Sequence, residues 1–242
     1  MSHHGEVRHH YGADVAHSAR VLGIGYVAIA VPLIALGFLI TKVLDGTSLV
    51  AWDERTIRTF ADNRTPSQNS LSKFWSKLAD APSIVAVALV ACILLAIARR
   101  WRHISWLLII LGLELGTFLT ISYIVKRVRP DVVHLGSVPS TGSFPSGHVA
   151  ATVVLYLTLA AIARRRFDYQ WVTTLGWVWT IVAALFVGWA RMYRGMHHPL
   201  DVVAGAVMGL AIWRLGVLAF DRKIETHNSE VRVKHLMKHS VA

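Results

Sequence analysis

The chain contains 242 residues, of which 54% are hydrophobic and only 16% are charged, and its mean hydropathy is +0.48. A soluble domain of this length is usually less apolar, so the composition indicates an integral membrane protein. The formal charge of +11 could suit nucleic acid, but the basic residues stand in short clusters between apolar runs, where membrane proteins carry orientation signals. We therefore expect no nucleic-acid partner. With Cys92 as the single cysteine, an intrachain disulfide and a thiolate metal cluster are excluded.

Six apolar runs are each long enough, at about twenty residues, to cross a bilayer as helices. They lie at residues 21–40, 82–98, 104–125, 147–163, 171–189 and 199–220. Within each run the apolar residues lie on all sides of the predicted helix rather than in one stripe, as lipid-embedded helices require. The predicted fold is therefore an all-α bundle of six transmembrane helices. Gly205 and Gly209 in the last run have the small-xxx-small spacing that favours close helix contact.

This layout divides the chain into three parts. Residues 1–20 form a polar N-terminal segment, residues 21–220 the six-helix membrane domain, and residues 221–242 a basic tail. Between the first two runs, residues 44–80 mix aromatic and charged side chains. That mixture predicts short amphipathic helices lying at the membrane interface rather than a further soluble domain.

Short basic loops predict the orientation of the bundle. One follows the second run and the other follows the fourth, and they contain Arg99, Arg100, Arg102, Arg164, Arg165 and Arg166. We expect the protein to lie in the plasma or inner membrane of the cell. The positive-inside rule then places these loops and both termini on the cytoplasmic side. Two of the opposite, extracytoplasmic loops also carry basic residues, namely Lys126, Arg127, Arg129, Arg191 and Arg194. Because these oppose the simple charge rule, we expect them to have another task.

The sequence Pro145-Ser146-Gly147-His148 stands at the start of the fourth run, on the predicted outer side. Serine is a common helix N-cap, and the free amides of the first helical turn bind anions. Gly147 would let a phosphate approach the backbone, and His148 could deliver a proton. The plainer interpretation is a helix cap beside an interfacial histidine.

A second cluster joins the fifth run to the sixth. His197 and Asp201 are four residues apart and so share one helix face. A carboxylate that accepts from one imidazole nitrogen leaves the other nitrogen nucleophilic. Arg191 lies six residues earlier, where a guanidinium can bind phosphate oxygens in bidentate fashion. The plainer interpretation is snorkelling by Arg191 and helix capping by Asp201.

With Arg129-Pro130 at the end of the third run, these residues resemble the type-2 phosphatidic acid phosphatase superfamily. Its three motifs read KxxxxxxRP, PSGH and SRxxxxxHxxxD. The second motif is complete at residues 145–148, the third is matched at Arg191, His197 and Asp201, and the first only at Arg129 and Pro130. Motifs and predicted spans together cover the chain from Val21 to Phe220.

The resemblance implies a membrane lipid phosphatase whose site faces the extracytoplasmic side. Arg129, Arg191, Ser146 and Gly147 would bind the phosphate. His197 would attack phosphorus to give a phosphohistidine, assisted by Asp201, while His148 would protonate the leaving oxygen. This scheme predicts a bell-shaped pH dependence and requires no metal or other cofactor. The substrates of the family include polyprenyl (undecaprenyl) diphosphate, phosphatidic acid and phosphatidylglycerol phosphate.

Two positions depart from the family pattern. Ala190 stands where the third motif has serine, and Ser122 stands where the first has lysine. The loss of the lysine removes a positive charge from the expected phosphate site. Ser122, Lys126 and Arg129 would share one face of a continuing helix, whose side chains lean toward its N-terminus. We therefore predict that Lys126 reaches back and replaces the missing ammonium group.

Other functions stay open at this stage. The missing lysine favours a non-catalytic protein of the same fold that binds or transports phospholipid. His148, His197 and Asp201 could instead form a metal site of two histidines and one carboxylate, although the neighbouring arginines favour an anion. A transporter or channel would be expected to have interrupted helices near mid-membrane rather than charges gathered at one interface.

Overall fold

The computed structural model describes the backbone of residues 3–167 and 169–239, and the side chains of residues 18–165, 167 and 169–220. Within these ranges the regular structure is entirely helical, so the all-α prediction is confirmed. Eight α-helices follow in chain order. They are α1 (His3–Phe38), α2 (Ser48–Asp62), α3 (Pro66–Leu78), α4 (Ala81–Ile97), α5 (Trp101–Val125), α6 (Gly147–Phe167), α7 (Gln170–Tyr193) and α8 (Pro199–His239), with a π-helical turn at Leu39–Val43 after α1.

Five of these helices are long and apolar enough to cross a membrane, within α1, α5, α6, α7 and α8. Helix α4 has 17 residues, about 26 Å at the α-helical rise, which is short for a hydrocarbon core of roughly 30 Å. It qualifies as a sixth span only together with α3, across a bend of 49°. The protein is therefore a multi-pass membrane protein with five or six spans. The predictions of a polar N-terminal segment at residues 1–20 and a basic tail at residues 221–242 concern side chains that lie almost entirely outside the described residues.

Helix α6 lies at the centre of the bundle, against α5, α7 and α8. Its first two turns bury Val149, Ala150 and Val153. A Cβ atom built on Gly205 would lie 2.4 Å from the Ser146 carbonyl oxygen, and one on Gly209 would lie 2.8 Å from that of Ala150. The close contact predicted from these two glycines is thus present. It brings the start of α8 directly against the start of α6.

The segment between the first two spans forms the amphipathic helices α2 and α3. Helix α2 buries Ile57 completely while Trp52 remains exposed. Helix α3 packs on α7, where Trp75 stacks on Phe186 with ring centroids 4.8 Å apart. Both helices thereby cover the end of the bundle at which α6 and α8 begin, and they contribute side chains to the site described next.

Candidate active site

Three segments distant in sequence meet where α6 and α8 begin. The Ser146 amide donates to the Asp201 carbonyl oxygen at 2.9 Å. Arg129 Nη1 donates to the Met196 carbonyl oxygen at 2.6 Å. The loop after α5, the start of α6 and the turn between α7 and α8 therefore form one cluster of polar side chains, as the motif analysis required.

The ring of His197 is held by a backbone carbonyl. Its Nδ1 lies 2.7 Å from the Ser143 oxygen, and because a carbonyl can only accept, Nδ1 carries the proton. The lone pair of the neutral ring is then on Nε2. Asp201 Oδ2, the partner expected from sequence, lies 3.9 Å from Nδ1, beyond hydrogen-bond distance. The structure thus assigns the orienting contact to Ser143.

Burial lowers the pKa of His197 well below its usual value, and the positive charges of Arg191 and Arg129 lower it further. Asp201 opposes this shift. The His197 ring is only 2% exposed, so its charged form would be poorly solvated. At neutral pH the imidazole is therefore uncharged, with a free nitrogen, which is the state that a nucleophile requires.

Asp201 is fully buried and is bound by groups other than His197. Its Oδ1 accepts from Arg127 Nη1 at 2.6 Å, and its Oδ2 accepts from the His198 amide at 2.8 Å. Arg127 Nη2 binds Asp53 on α2, also at 2.6 Å. The second oxygen of Asp53 accepts from the Leu200 amide at 2.9 Å and so caps α8. Although burial opposes it, pairing with Asp201 and Asp53 raises the pKa of Arg127.

Sequence reasoning missed this buried ion-pair network. A signal existed for Arg127, since it is one of the basic residues that oppose the charge rule in an outer loop. No sequence signal pointed to Asp53, which lies in an amphipathic segment remote from the motifs. The contact between the two joins residues 74 positions apart.

His198 is a third histidine in the cluster. Its Nε2 lies 2.8 Å from Glu54 Oε1 on α2, and its Nδ1 lies 3.2 Å from Asp201 Oδ2. Burial opposes protonation, but the hydrogen bond to Asp201 and the charge of that carboxylate raise the pKa of His198 above its usual value. His198 therefore links α2 to the start of α8, a contact that the sequence did not reveal.

Several buried donors in the cluster have no protein partner. Among the described residues these include Arg129 Nε, Arg191 Nε and Ser146 Oγ. Arg191 is otherwise held by the Ser76 hydroxyl, to which its Nη1 donates at 2.9 Å. Buried donors are nearly always hydrogen-bonded. Unpaired donors from all three predicted motif segments indicate a site shaped for an anion.

The start of α6 departs in detail from the expected cap. The Ser146 hydroxyl makes no cap bond and stays free, while the first-turn amides of an α-helix lack partners within the helix. A Cβ atom on Gly147 would lie 3.0 Å from the Phe118 ring. Glycine at this position therefore also allows α6 to pack closely on α5.

His148 faces both the nucleophile candidate and a carboxylate. Its ring centroid lies 6.4 Å from that of His197. Its Nε2 lies 2.9 Å from Oδ1 of Asp80, in the turn before α4. The two rings therefore lie close enough to act on the same bound group. Asp80 is a further site residue that the sequence analysis did not identify.

The helical argument for Lys126 was wrong. Helix α5 ends at Val125, and Lys126 adopts a left-handed conformation with φ of 50°. Ser122, Lys126 and Arg129 consequently do not form one helix face. The Lys126 side chain is exposed, whereas the Ser122 hydroxyl is buried and donates to the Gly142 carbonyl oxygen at 3.3 Å. The helical geometry that motivated a phosphate contact by Lys126 is therefore absent, and replacement of this lysine tests the contact itself.

The alternative metal site lacks the required arrangement. Among the residues with described positions, no group of three or more His, Cys, Asp or Glu side chains is placed to hold a metal ion. His197, Asp201 and His148 are each engaged by a protein partner, and the cluster they form contains several guanidinium groups. Their surroundings fit an anion better than a cation.

Comparison with known proteins supports the family resemblance found in the sequence. A family model described as the PAP2 superfamily matches residues 105–225, half of the chain. An undecaprenyl-diphosphatase from Sulfolobus acidocaldarius is 26% identical over 205 residues, covering 81% of this chain and 90% of the relative. Phosphatidylglycerophosphatase B from Bacillus subtilis is 33% identical over 102 residues, which cover 42% of this chain and 49% of the relative.

A solved structure has the same fold. It is the crystal structure of a transmembrane PAP2-type phosphatidylglycerolphosphate phosphatase from Bacillus subtilis, with a TM-score of 0.71 and 22% sequence identity. The similarity covers 81% of this chain and 96% of the other. The arrangement of the membrane helices is therefore shared.

Proposed function

The chain belongs to the PAP2 superfamily, and from this premise we propose that it hydrolyses a membrane lipid phosphate or diphosphate through a phosphohistidine at His197, without a metal cofactor. The observation that carries the mechanism is the 2.7 Å bond from His197 Nδ1 to the Ser143 carbonyl. It leaves Nε2 as the free nitrogen in a cluster with unpaired buried donors. This combination suits in-line attack on a bound phosphate.

The phosphate is bound by groups already present in the resting protein. The free Nε atoms of Arg129 and Arg191, the Ser146 hydroxyl and the amides from Gly147 onward supply donors from three segments of the chain. Because the guanidinium groups are fixed by the Met196 carbonyl and the Ser76 hydroxyl, little reorganisation is needed as charge develops. Such fixed donors stabilise a transition state more than flexible ones do.

The reaction proceeds in two displacements. His197 Nε2 attacks phosphorus as the P–O bond to the leaving group breaks, and His148 gives its proton to the departing oxygen. His148, now neutral, accepts a proton from water, which attacks the phosphohistidine. Inorganic phosphate leaves and the lone pair returns to Nε2. Asp201 contributes negative charge near the imidazole at 3.9 Å rather than a direct hydrogen bond.

Polyprenyl diphosphate is the substrate that we place first, followed by phosphatidic acid and phosphatidylglycerol phosphate. The named activities of the relatives, undecaprenyl-diphosphatase and phosphatidylglycerophosphatase, support lipid substrates of both kinds. We further propose that the site faces the extracytoplasmic side of the cell membrane, with both termini and the two arginine-rich loops in the cytoplasm. The charge distribution of the loops supports this orientation.

A second candidate is a non-catalytic lipid-binding or transport protein of this fold. The observation in its favour is Ser122, whose buried hydroxyl occupies the position of the family lysine. Against it stand a nucleophile candidate, an acid candidate and two arginines gathered in one cluster, since removal of any one such group usually collapses the rate.

The test is phosphate release by the purified full chain, measured with and without a chelator. Polyprenyl diphosphate and phosphatidic acid are assayed in parallel, beside a His197→Ala variant. Release by the wild type that is lost in the variant, together with an acid-labile phosphoryl group trapped on the wild type, supports the histidine mechanism. Failure to release phosphate from either lipid would favour the non-catalytic candidate. Release that ceases with the chelator would refute the metal-independent scheme.

A further inference from the structure

Asp80 occupies a position at which an aspartate usually has a structural role. It is the N-cap residue of α4, yet its side chain makes no cap hydrogen bond. N-cap aspartates ordinarily accept from the amides of the first helical turn, which stabilises the helix. Asp80 Oδ1 instead lies 2.9 Å from His148 Nε2 on another helix. The carboxylate thus forgoes the local contact and binds the ring 68 positions later in the chain.

We propose that Asp80 is a positioning residue for the proton transfer by His148. It orients the ring and stabilises its doubly protonated form, an inference that rests on the proposed function because His148 is the acid only there. Nε2–H donates to Asp80, so Nδ1–H is the proton that remains available to the leaving oxygen. A carboxylate that fixes one imidazole nitrogen while the other transfers a proton is a common enzymatic arrangement.

The surroundings of His148 explain why such a partner is needed. Besides Asp80, the charged or titratable groups that act on the ring are Arg191 from α7, Arg129 from the loop after α5, and His197 before α8. Burial of the ring disfavours an imidazolium most, and both guanidinium groups disfavour it further. Among these groups Asp80 is the only one that favours it. A general acid must hold its proton until the P–O bond breaks, and Asp80 supplies the countercharge for that state.

The placement of Asp80 also agrees with a role in the reaction. Its side chain is 41% exposed, so it lies at the mouth of the cluster rather than in the core. Arg191 and Arg194 act on it electrostatically from the α7 side. As the leaving oxygen takes the proton from Nδ1 together with the electron pair of the P–O bond, His148 becomes neutral. Its Nε2–H stays on Asp80 and keeps the ring in place for deprotonation of water.

The experiment is a double-mutant cycle on the purified full chain, with Asp80→Asn and His148→Ala singly and together. The assay is kcat/KM for phosphate release from phosphatidic acid and polyprenyl diphosphate across the pH range. General acids contribute roughly 10²–10⁴-fold to rate. Loss of the orienting carboxylate is expected to lower kcat/KM by roughly tenfold to a hundredfold, a part of that range. In the His148→Ala background the Asp80 change should have no further effect.

The pH profile gives an independent readout. The alkaline limb should move to lower pH in Asp80→Asn, because the imidazolium has lost its carboxylate and still faces two arginines. Asp80→Glu, which retains the charge, should recover most of the rate. Asp62→Asn, an exposed carboxylate at the end of α2, is the matched control and should behave as the wild type.

Losses that add in the double variant, or an unshifted profile, would overturn the role of Asp80. So would a wild-type rate in Asp80→Asn. Each of these results leaves the proposed function standing, provided that the wild type releases phosphate and His197→Ala does not. A wild type that is inactive on both lipids would refute the proposed function first and the role of Asp80 with it.

Discussion

Replacement of Asp53 by alanine should both destabilise the protein and disturb its active site. Asp53 is fully buried and makes two contacts, an ion pair of 2.6 Å with Arg127 and a cap bond of 2.9 Å from the Leu200 amide. Hydrogen bonds to charged groups contribute about 1.5–3 kcal/mol, and a buried amide left without a partner costs about 1–3 kcal/mol. Because Arg127 retains Asp201, we expect a total loss of about 3–5 kcal/mol, the range for broken buried ion pairs.

The assay is the free energy of unfolding in detergent, measured by denaturant titration and followed by helical circular dichroism. Asp53→Asn provides a graded comparison, since its amide oxygen can still cap α8 while the charge is lost, and about 1.5–3 kcal/mol is expected. Asp62→Ala on the same helix is the exposed control and should lie within about 0.5 kcal/mol of the wild type. An Asp53→Ala variant as stable as that control would refute the view that α2 is anchored to the site by this carboxylate.

Three further predictions concern the site and its supports. The pKa of His197 lies well below the usual value, so this histidine stays neutral, and able to attack, down to a low pH. The acidic limb of the kcat/KM profile, measured by phosphate release, should therefore lie well below the pH at which ordinary histidines titrate. An acidic limb near about 6.5 would contradict this. Gly205→Ala adds a Cβ 2.4 Å from a backbone oxygen and should lower the free energy of unfolding, measured by denaturant titration, by about 1–3 kcal/mol. Gly23→Ala, with open space around the site, should leave that free energy unchanged. Arg129→Ala should lower kcat by roughly 10²–10³-fold. Lys126 has an exposed side chain, so Lys126→Ala should stay close to the wild-type rate. An equal loss in both variants would show that Lys126 also binds the phosphate.

The tautomer of His197 illustrates how tertiary contacts alter a prediction based on spacing. A separation of four residues correctly placed Asp201 near His197, but it could not reveal that Arg127 and the His198 amide would bind the carboxylate more closely. The carbonyl that holds the ring belongs to Ser143, 54 positions earlier. A backbone oxygen has no side-chain signature, so no motif could have identified it.

The end of α5 shows a different limit. The apolar run to Val125 marked the helix boundary correctly, because hydrophobic length is a local property of the chain. The argument about Lys126 nevertheless assumed that the helix continued. Left-handed conformations are uncommon outside glycine and asparagine, so lysine at this position gave no warning that the chain would turn there. One backbone angle changed the direction of the side chain.

The sequence by itself determined the membrane class, the all-helical fold and the motif residues that the fold would gather. These follow from composition, from the length of apolar runs and from short motifs, which are read within one segment at a time. Tertiary structure alone decided that α2 and the turn before α4 complete the site through Asp53, Glu54 and Asp80. Their partners lie 68 to 147 positions away, and a contact of that range depends on how the helices pack. The physical reason is that a buried charge is tolerated only beside its partner, and only the packed bundle brings the partners together.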